Sequence, residues 1–157
     1  NGKVVMYRRG PGVYQTDELA ARGVAAIERG AATGTPFYLW IAPQAPHTEN
    51  SAPPIPATRH QDQFNGIDLP MPPNFNETNV SDKPGFVTIE APLTTAEIEA
   101  LRTHYEARIE SLQAVDDLVE RIHSTLTATG QLDNTLIVFT SDNGYMLGNH
   151  RLATSPP

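Results

Sequence analysis

The hydrophobic pattern of this chain predicts two amphipathic helices, each followed by a short apolar run. In the first helix, apolar side chains share one face over residues 17–29, with Thr16 as the expected N-cap. Gly30 and Gly34 are expected to close it. Residues 37–42, which follow, are almost all apolar or aromatic and are typical of a buried strand.

The second helix is the longest element that the sequence predicts. Thr94 and Glu97 have the spacing of a capping box, in which each side chain bonds the backbone N–H of the other residue. Apolar residues then recur every three or four positions to about Thr127, and Gly130 marks the end. A second apolar run follows at residues 135–140. The apolar positions of the helix are Ile98, Leu101, Tyr105, Ile109, Leu112, Val115, Val119, Ile122 and Leu126.

Two successive helix–strand units predict an α/β fold with a mainly parallel sheet flanked by helices. Strands that are apolar throughout are typical of parallel sheets, which are covered on both faces. Ten of the fourteen prolines lie between positions 43 and 92, so we expect a long loop over residues 43–93. Because parallel strands end at the same edge of a sheet, the residues after both apolar runs should lie close together.

Composition narrows the range of partners. The formal net charge is −7 and there is no basic run, which argues against nucleic acid or an anionic membrane surface as a partner. No apolar run approaches the roughly 20 residues of a membrane-spanning helix. The sequence contains no cysteine, so its 157 residues hold no disulfide, thiolate metal site or cysteine nucleophile.

The polar residues after the second apolar run are candidate metal ligands. Asp142 and Asn143 offer carboxylate and amide oxygens, which suit a hard cation such as calcium or magnesium. Gly144 permits a turn that presents two consecutive side chains at the end of a strand. The same triplet is also ordinary turn chemistry, in which Asn and Gly supply positive φ, so the local sequence leaves both interpretations open.

A histidine follows the first apolar run. His47 lies five residues beyond Ala42, on a segment in which Pro43 and Pro46 restrict the backbone. A single histidine in a loop is more often exposed and inert, so its spacing alone assigns no role.

The segments that end in Pro43-Gln44-Ala45-Pro46-His47 and in Asp142-Asn143-Gly144 together resemble the sulfatase family of the alkaline-phosphatase-like superfamily. The resemblance is greatest to the branch that includes N-acetylglucosamine-6-sulfatase. It implies an α/β sandwich and the hydrolysis of sulfate esters, including those of sulfated sugars. It further implies that His47 contacts the sulfate ester and its leaving oxygen, and that Asp142 and Asn143 bind a divalent metal, usually calcium.

A third segment, Gly148-Asn149-His150-Arg151, resembles a Gly-Glu-His-Arg sequence of the same branch. The resemblance makes His150 and Arg151 candidate substrate contacts. The alternative is a histidine that stabilises the loop and an arginine exposed to solvent.

Other parts of the family's active site are not recognisable. Family members carry a Cys or Ser, x, Pro, x, Arg motif, whose first residue becomes formylglycine, and the nearest match, residues 51–55, lacks the Arg. The N-terminal acidic ligands and a lysine after the Asp-Asn-Gly triplet are also missing. With no methionine at position 1, we expect residues 1–157 to be an internal part of one sulfatase catalytic domain. We expect this part to be inactive without the remainder of its polypeptide, which would supply the formylglycine.

Two other functions stay open. One is a phosphodiesterase or phosphonate hydrolase of the same superfamily, although these often have Asp-His where this chain has Asp142-Asn143. The other is a non-enzymatic module that binds a metal or a sulfated glycan. By its family the protein is expected to be extracellular, periplasmic or lysosomal, while the sequence leaves the cytoplasm open.

Overall fold

The computed structural model describes residues 12–48 and 52–153. Within these residues the chain forms three α-helices, which are α1 (Gln15–Thr33), α2 (Gly85–Thr88) and α3 (Thr95–Ala128). Short 3-10 turns lie at Thr58–His60 and Leu132–Asn134. No described helix is long and apolar enough to cross a membrane.

The chain divides into two compact units. The first unit consists of Asn1–Ala45 and Gln113–Leu136, and the second consists of Pro46–Leu112 and Ile137–Pro157. Helix α3 therefore contributes its N-terminal half to the second unit and its C-terminal half to the first.

Close packing of α1 in the first unit depends on two glycines inside the helix. A Cβ on Gly23 would lie 2.5 Å from the Cδ1 of Ile122 on α3 and 2.9 Å from the Cδ1 of Ile41. A Cβ on Gly30 would lie 2.8 Å from the ring of Phe37. The buried residues of α1, spaced three or four apart as on one helical face, are Thr16, Ala20, Gly23 and Ile27.

The predicted N-cap of α1 is wrong. Thr16 lies inside the helix and is buried, and the cap is Tyr14, whose carbonyl oxygen accepts from the N–H groups of Asp17 and Glu18. The helix begins two residues earlier than predicted, and burial of its inner face prevails over the capping preference of Thr16. Gly34 ends the helix as predicted, with a left-handed φ of 63°, whereas Gly30, the other predicted end, lies inside it.

The predicted boundaries of α3 are confirmed. The N–H of Thr94 donates to Glu97 Oε2 at 2.7 Å, and the N–H of Glu97 donates to Thr94 Oγ1 at 3.3 Å, which is a complete capping box. The helix ends at Ala128, followed by Gly130 with a φ of 68°. The capping box and Gly130 each lie within a few residues of a helix end, so both boundaries are set by local sequence.

The two predicted buried strands are not confirmed by this structure. No strand is present in residues 12–48 and 52–153, where only isolated bridges occur. Both runs expose large apolar side chains: Tyr38 by 86% and Trp40 by 82% in the first, and Leu136 by 90% and Phe139 by 77% in the second. In the first run the alternate residues Phe37, Leu39 and Ile41 are only partly exposed. A strand exists only when a neighbouring strand pairs with its backbone, and neither run has such a partner among the residues described.

The long proline-rich segment, predicted as a loop, contains the 3-10 turn Thr58–His60 and helix α2 (Gly85–Thr88). The rest of it is irregular chain, which packs against α3 in the second unit. The N–H of Phe64 donates to Glu110 Oε1 at 3.2 Å, and the N–H of Gly66 donates to Glu106 Oε1 at 2.8 Å. The carboxylates of one helix face therefore bond the backbone of the loop. Four apolar residues of this segment are buried, namely Ala57, Leu69, Val80 and Val87.

Candidate functional site

His47, the predicted catalytic residue, lies exposed in the second unit beside an aromatic ring. Its Nδ1 is 2.7 Å from the carbonyl oxygen of Thr48. A carbonyl can only accept, so this contact assigns a proton to Nδ1 and leaves Nε2 as the second functional nitrogen. The His47 ring meets the ring of Tyr145 edge to face, with centroids 6.4 Å apart.

The predicted metal ligands lie just before that tyrosine. Asp142 and Asn143 are both exposed, and the hydroxyl of Ser141 donates to the carbonyl oxygen of Asn143 at 2.6 Å, which stabilises a local turn. Tyr145, two residues after Asn143, makes the contact with His47. The predicted grouping of Asp142 and Asn143 themselves with His47 stays a prediction.

The donor set at Asp142 and Asn143 fits a hard cation only in part. A carboxylate and an amide oxygen are suitable donors for calcium, which takes six to eight oxygens in proteins. Among the described residues no group of three or more His, Cys, Asp or Glu side chains could hold a metal ion. These two residues could therefore supply part of a coordination shell, and the other ligands would have to come from elsewhere.

A buried arginine that the sequence analysis missed lies against Tyr145. Arg108 on α3 is only 5% exposed, and its guanidinium carbon is 3.1 Å from the centre of the Tyr145 ring, a cation–π contact. Its Nε and Nη2 are buried without a hydrogen-bond partner among the described residues. Burial lowers the pKa of the guanidinium, and the adjacent Tyr145 acts in the opposite direction.

His104 lies one helical turn before Arg108 and shares its environment. It is 8% exposed, and its Nδ1 has no hydrogen-bond partner among the described residues. Burial, and to a lesser extent the charge of Arg108, lowers the pKa of His104. The imidazole is therefore neutral near pH 7.

The sequence contains a signal for these two residues. The buried face of α3 in the second unit runs through Leu101, His104, Arg108 and Ser111, at spacings of three and four. The apolar stripe predicted for α3 includes Leu101 but not His104, Arg108 or Ser111, so it lay slightly to one side of the buried face. Two titratable residues on a buried helical face are unusual, because charged groups are almost never fully buried without a partner.

His150 and Arg151, the predicted substrate contacts, hold the loop of the second unit. His150 Nδ1 is 2.5 Å from Glu77 Oε2. Arg151 donates from Nε to the carbonyl oxygen of Glu77 at 2.9 Å, from Nη1 to that of Glu90 at 2.9 Å, and from Nη2 to that of Thr78 at 2.6 Å. These contacts favour the stabilising role that the sequence left open for His150. Arg151, which that alternative placed in solvent, bonds the loop as well.

The turn that carries these two residues is fixed by backbone pairing. Asn76 N–H donates to the carbonyl oxygen of Gly148 at 2.8 Å, and His150 N–H donates to that of Asn74 at 2.7 Å. His150 and Arg151 have φ values of 51° and 68°, in the left-handed region that non-glycine residues rarely adopt. Their conformation is therefore imposed by the surrounding contacts.

Comparison with known proteins identifies the family. The family described as Sulfatase matches residues 3–157. The chain belongs to the sulfatase family. The family resemblance predicted from the sequence is thereby confirmed, and membership implies the alkaline-phosphatase-like α/β fold.

Curated relatives of this sulfatase chain cover most of its length. It is 38% identical to an arylsulfatase of Volvox carteri, with 90% of the chain and 24% of that protein covered. It is 39% identical to the sulfatase ppz1 of Metarhizium majus, with 90% and 34% covered. It is 34% identical to human N-acetylglucosamine-6-sulfatase, with 88% and 24% covered.

The sulfatase chain thus spans about a quarter to a third of the length of these curated relatives. No solved structure matches it significantly.

Proposed function

We propose that the complete polypeptide hydrolyses sulfate esters and that residues 1–157 supply part of its active site. The family match over residues 3–157 is the observation that carries this proposal. Relatives named arylsulfatase and N-acetylglucosamine-6-sulfatase suggest aryl sulfates and sulfated sugars as the substrates to test. A catalytic His47 that is exposed and oriented by a backbone carbonyl is consistent with this chemistry.

His47 acts on the leaving group in this proposal. Cleavage of the S–O bond leaves negative charge on the departing oxygen, and a proton donor at that oxygen lowers the barrier. The carbonyl of Thr48 occupies Nδ1–H, so in the imidazolium form of the ring the proton on Nε2 is the one that can pass to the leaving oxygen. General acid catalysis of this kind contributes roughly 10²–10⁴-fold to the rate.

Asp142 and Asn143 would hold a divalent cation, with calcium favoured by their oxygen donors and magnesium as the alternative. Such a cation, when bound, stabilises negative charge on the sulfuryl oxygens. We place the remaining ligands, and a formylglycine nucleophile, in the remainder of the polypeptide.

We also propose that residues 37–42 and 135–140 are strands in the complete protein. Both runs expose large apolar side chains, and the sulfatase family has an α/β fold. Pairing with strands from the remainder of the polypeptide would bury these side chains and satisfy their backbone groups.

A location outside the cytoplasm, in an extracellular, periplasmic or lysosomal compartment, is part of the proposal. It is supported by a relative named extracellular sulfatase SULF-1 homolog from Drosophila melanogaster, 32% identical over 74% of the chain and 10% of that protein.

A substrate panel on the complete protein tests the reaction class. We expect release of sulfate from 4-nitrophenyl sulfate or N-acetylglucosamine 6-sulfate. Turnover should be far slower with a phosphate diester and a phosphonate ester of the same alcohol. Preference for either phosphorus ester would instead support a phosphodiesterase or phosphonate hydrolase. Turnover of none of them would support a binding module.

Metal analysis of the same protein tests the proposed ligands. Elemental analysis after gel filtration is expected to find calcium in the wild type and at least tenfold weaker calcium binding in Asp142→Ala. Asp133→Ala, which removes another exposed aspartate, serves as the matched control. Equal calcium content in all three proteins would remove Asp142 from the shell.

A further inference from the structure

Arg108 is a buried cation whose charge no described residue neutralises. Its Nε and Nη2 lack partners, although a buried charge is unfavourable unless it is paired and hydrogen-bonded. The acidic side chains nearest in sequence are used elsewhere, since Glu106 bonds the N–H of Gly66 and Glu110 bonds that of Phe64. An oxyanion is the kind of group that would pair with this buried cation.

The two unpartnered nitrogens define the shape of that anion. Nε and Nη2 lie on the same edge of the guanidinium, where their N–H groups form a fork that donates to two oxygens of one group. The Tyr145 ring covers the face of the guanidinium, while hydrogen bonds form at its edge, so the cation–π contact and an anion are compatible. His104 offers a further nitrogen one helical turn away.

The position of the cluster connects it to the proposed active site. The Tyr145 ring contacts both the guanidinium of Arg108 and the ring of His47.

We propose that Arg108, assisted by His104, binds the sulfate group, either of the ester substrate or of the sulfate ion that hydrolysis releases. This inference rests on the proposed function, because it places the anion of that reaction beside His47. Arg108 is a binding residue here and takes no part in bond cleavage.

Kinetics of the complete protein with 4-nitrophenyl sulfate test whether Arg108 binds the sulfate group of the ester substrate. In Arg108→Met we expect KM to rise roughly tenfold or more, because charged hydrogen bonds to the substrate are lost, while kcat changes less. Arg108→Lys, which keeps the charge but loses the fork, should give an intermediate KM. Arg102→Gln is the control on the same helix, where Arg102 forms partly exposed ion pairs with Asp68 and Glu99.

Inhibition by sodium sulfate tests whether Arg108 binds the sulfate ion that hydrolysis releases. Its inhibition constant should rise together with KM in Arg108→Met, and sulfate should raise the Tm of the wild type but not of that variant. An inhibition constant and KM that match the wild type would overturn the inference.

Stability in sulfate-free buffer separates the remaining alternative, a carboxylate of the same polypeptide. If Arg108 binds sulfate, Arg108→Met removes an unpaired buried charge and leaves Tm unchanged or higher. If an internal carboxylate pairs with Arg108, Arg108→Met leaves that carboxylate buried without its partner. The Tm of the variant then falls while the inhibition constant of sulfate is unchanged, and this result would overturn the inference.

A wild type that releases no sulfate refutes the proposed function, whereas the Tm shift with sodium sulfate still tests Arg108. Arg108→Lys provides the same readouts if Arg108→Met does not fold.

Discussion

Single side chains hold the irregular chain of the second unit together. Asn76 bonds the backbone of Leu93 with both polar atoms: its Oδ1 accepts from the N–H at 2.8 Å and its Nδ2 donates to the carbonyl at 3.0 Å. Arg151 bonds three further carbonyls of the same loop. A loop without regular structure thereby satisfies its backbone through side chains rather than through a sheet.

Asn76→Ala is expected to lower the free energy of unfolding by about 1–3 kcal/mol, because it leaves both backbone groups of Leu93 without their partner. Asn79→Ala is the matched control. Asn79 is exposed and accepts one hydrogen bond, from the N–H of Ser81, so its loss should cost less than about 1 kcal/mol. Urea unfolding of the two variants measures the difference, and equal losses would contradict the role of Asn76.

His104 makes stability depend on pH. Burial lowers its pKa in the folded state below the ordinary value of 6.5, so the unfolded chain binds more protons between the two pKa values. Stability should therefore fall as the pH drops from 7 through 6.5 toward 5. We expect His104→Gln to reduce this loss and His123→Gln, at an exposed position of α3, to leave it unchanged. Urea unfolding at each pH measures it, and a parallel loss in all three proteins would refute the assignment.

At the scale of elements, the sequence predicted what local contacts decide. The capping box of α3 was predictable because Thr94 and Glu97 lie three residues apart and need no other part of the chain. The two strands could not be predicted in the same way, because a strand depends on distant backbone partners that a hydrophobic pattern does not reveal. Arg108 was missed for a related reason: its burial is set by packing and contradicts the ordinary preference of arginine for the surface.

The same reasoning applies to the candidate site. Proximity of His47 to Asp142 and Asn143 was expected from the order of elements and stays a prediction, whereas Tyr145, which contacts the His47 ring, carried no sequence signal.

The turn that carries His150 and Arg151 requires a glycine at position 148. Gly148 has a φ of 93°, and a Cβ at this position would overlap the Phe75 ring. Gly148→Ala should destabilise the protein by about 1–3 kcal/mol. Gly85→Ala is the control, since a Cβ there would have nothing within 4 Å. Thermal unfolding of both variants tests this, and an unchanged Tm for Gly148→Ala would show that the turn can rearrange.

At the scale of the whole molecule, the described residues include the helices of a layered fold but no sheet. Two runs that expose large apolar side chains, residues 37–42 and 135–140, lie after α1 and α3. Exposed apolar patches of this kind mark surfaces that another part of a protein covers. The active site would be assembled in the same way, from His47 and the Asp142-Asn143 pair together with groups of the remaining polypeptide.

Hydrogen exchange tests the assembly. In the complete protein the amides of residues 37–42 and 135–140 should exchange slowly, as in a central sheet, whereas in the isolated residues 1–157 they should exchange rapidly. The amides of α3 within 113–126 provide an internal reference in both samples. Rapid exchange of both runs in the complete protein would contradict the proposed strands. The isolated residues 1–157 are also expected to release no sulfate from 4-nitrophenyl sulfate.

The most direct test of the account is inorganic sulfate, measured by ion chromatography, after the complete protein is incubated with 4-nitrophenyl sulfate. The account predicts sulfate and 4-nitrophenol in equal amounts from the wild type. It predicts a rate about 10²–10⁴-fold lower from His47→Ala and a wild-type rate from His123→Ala. No sulfate from the wild type, or equal rates from wild type and His47→Ala, would contradict it.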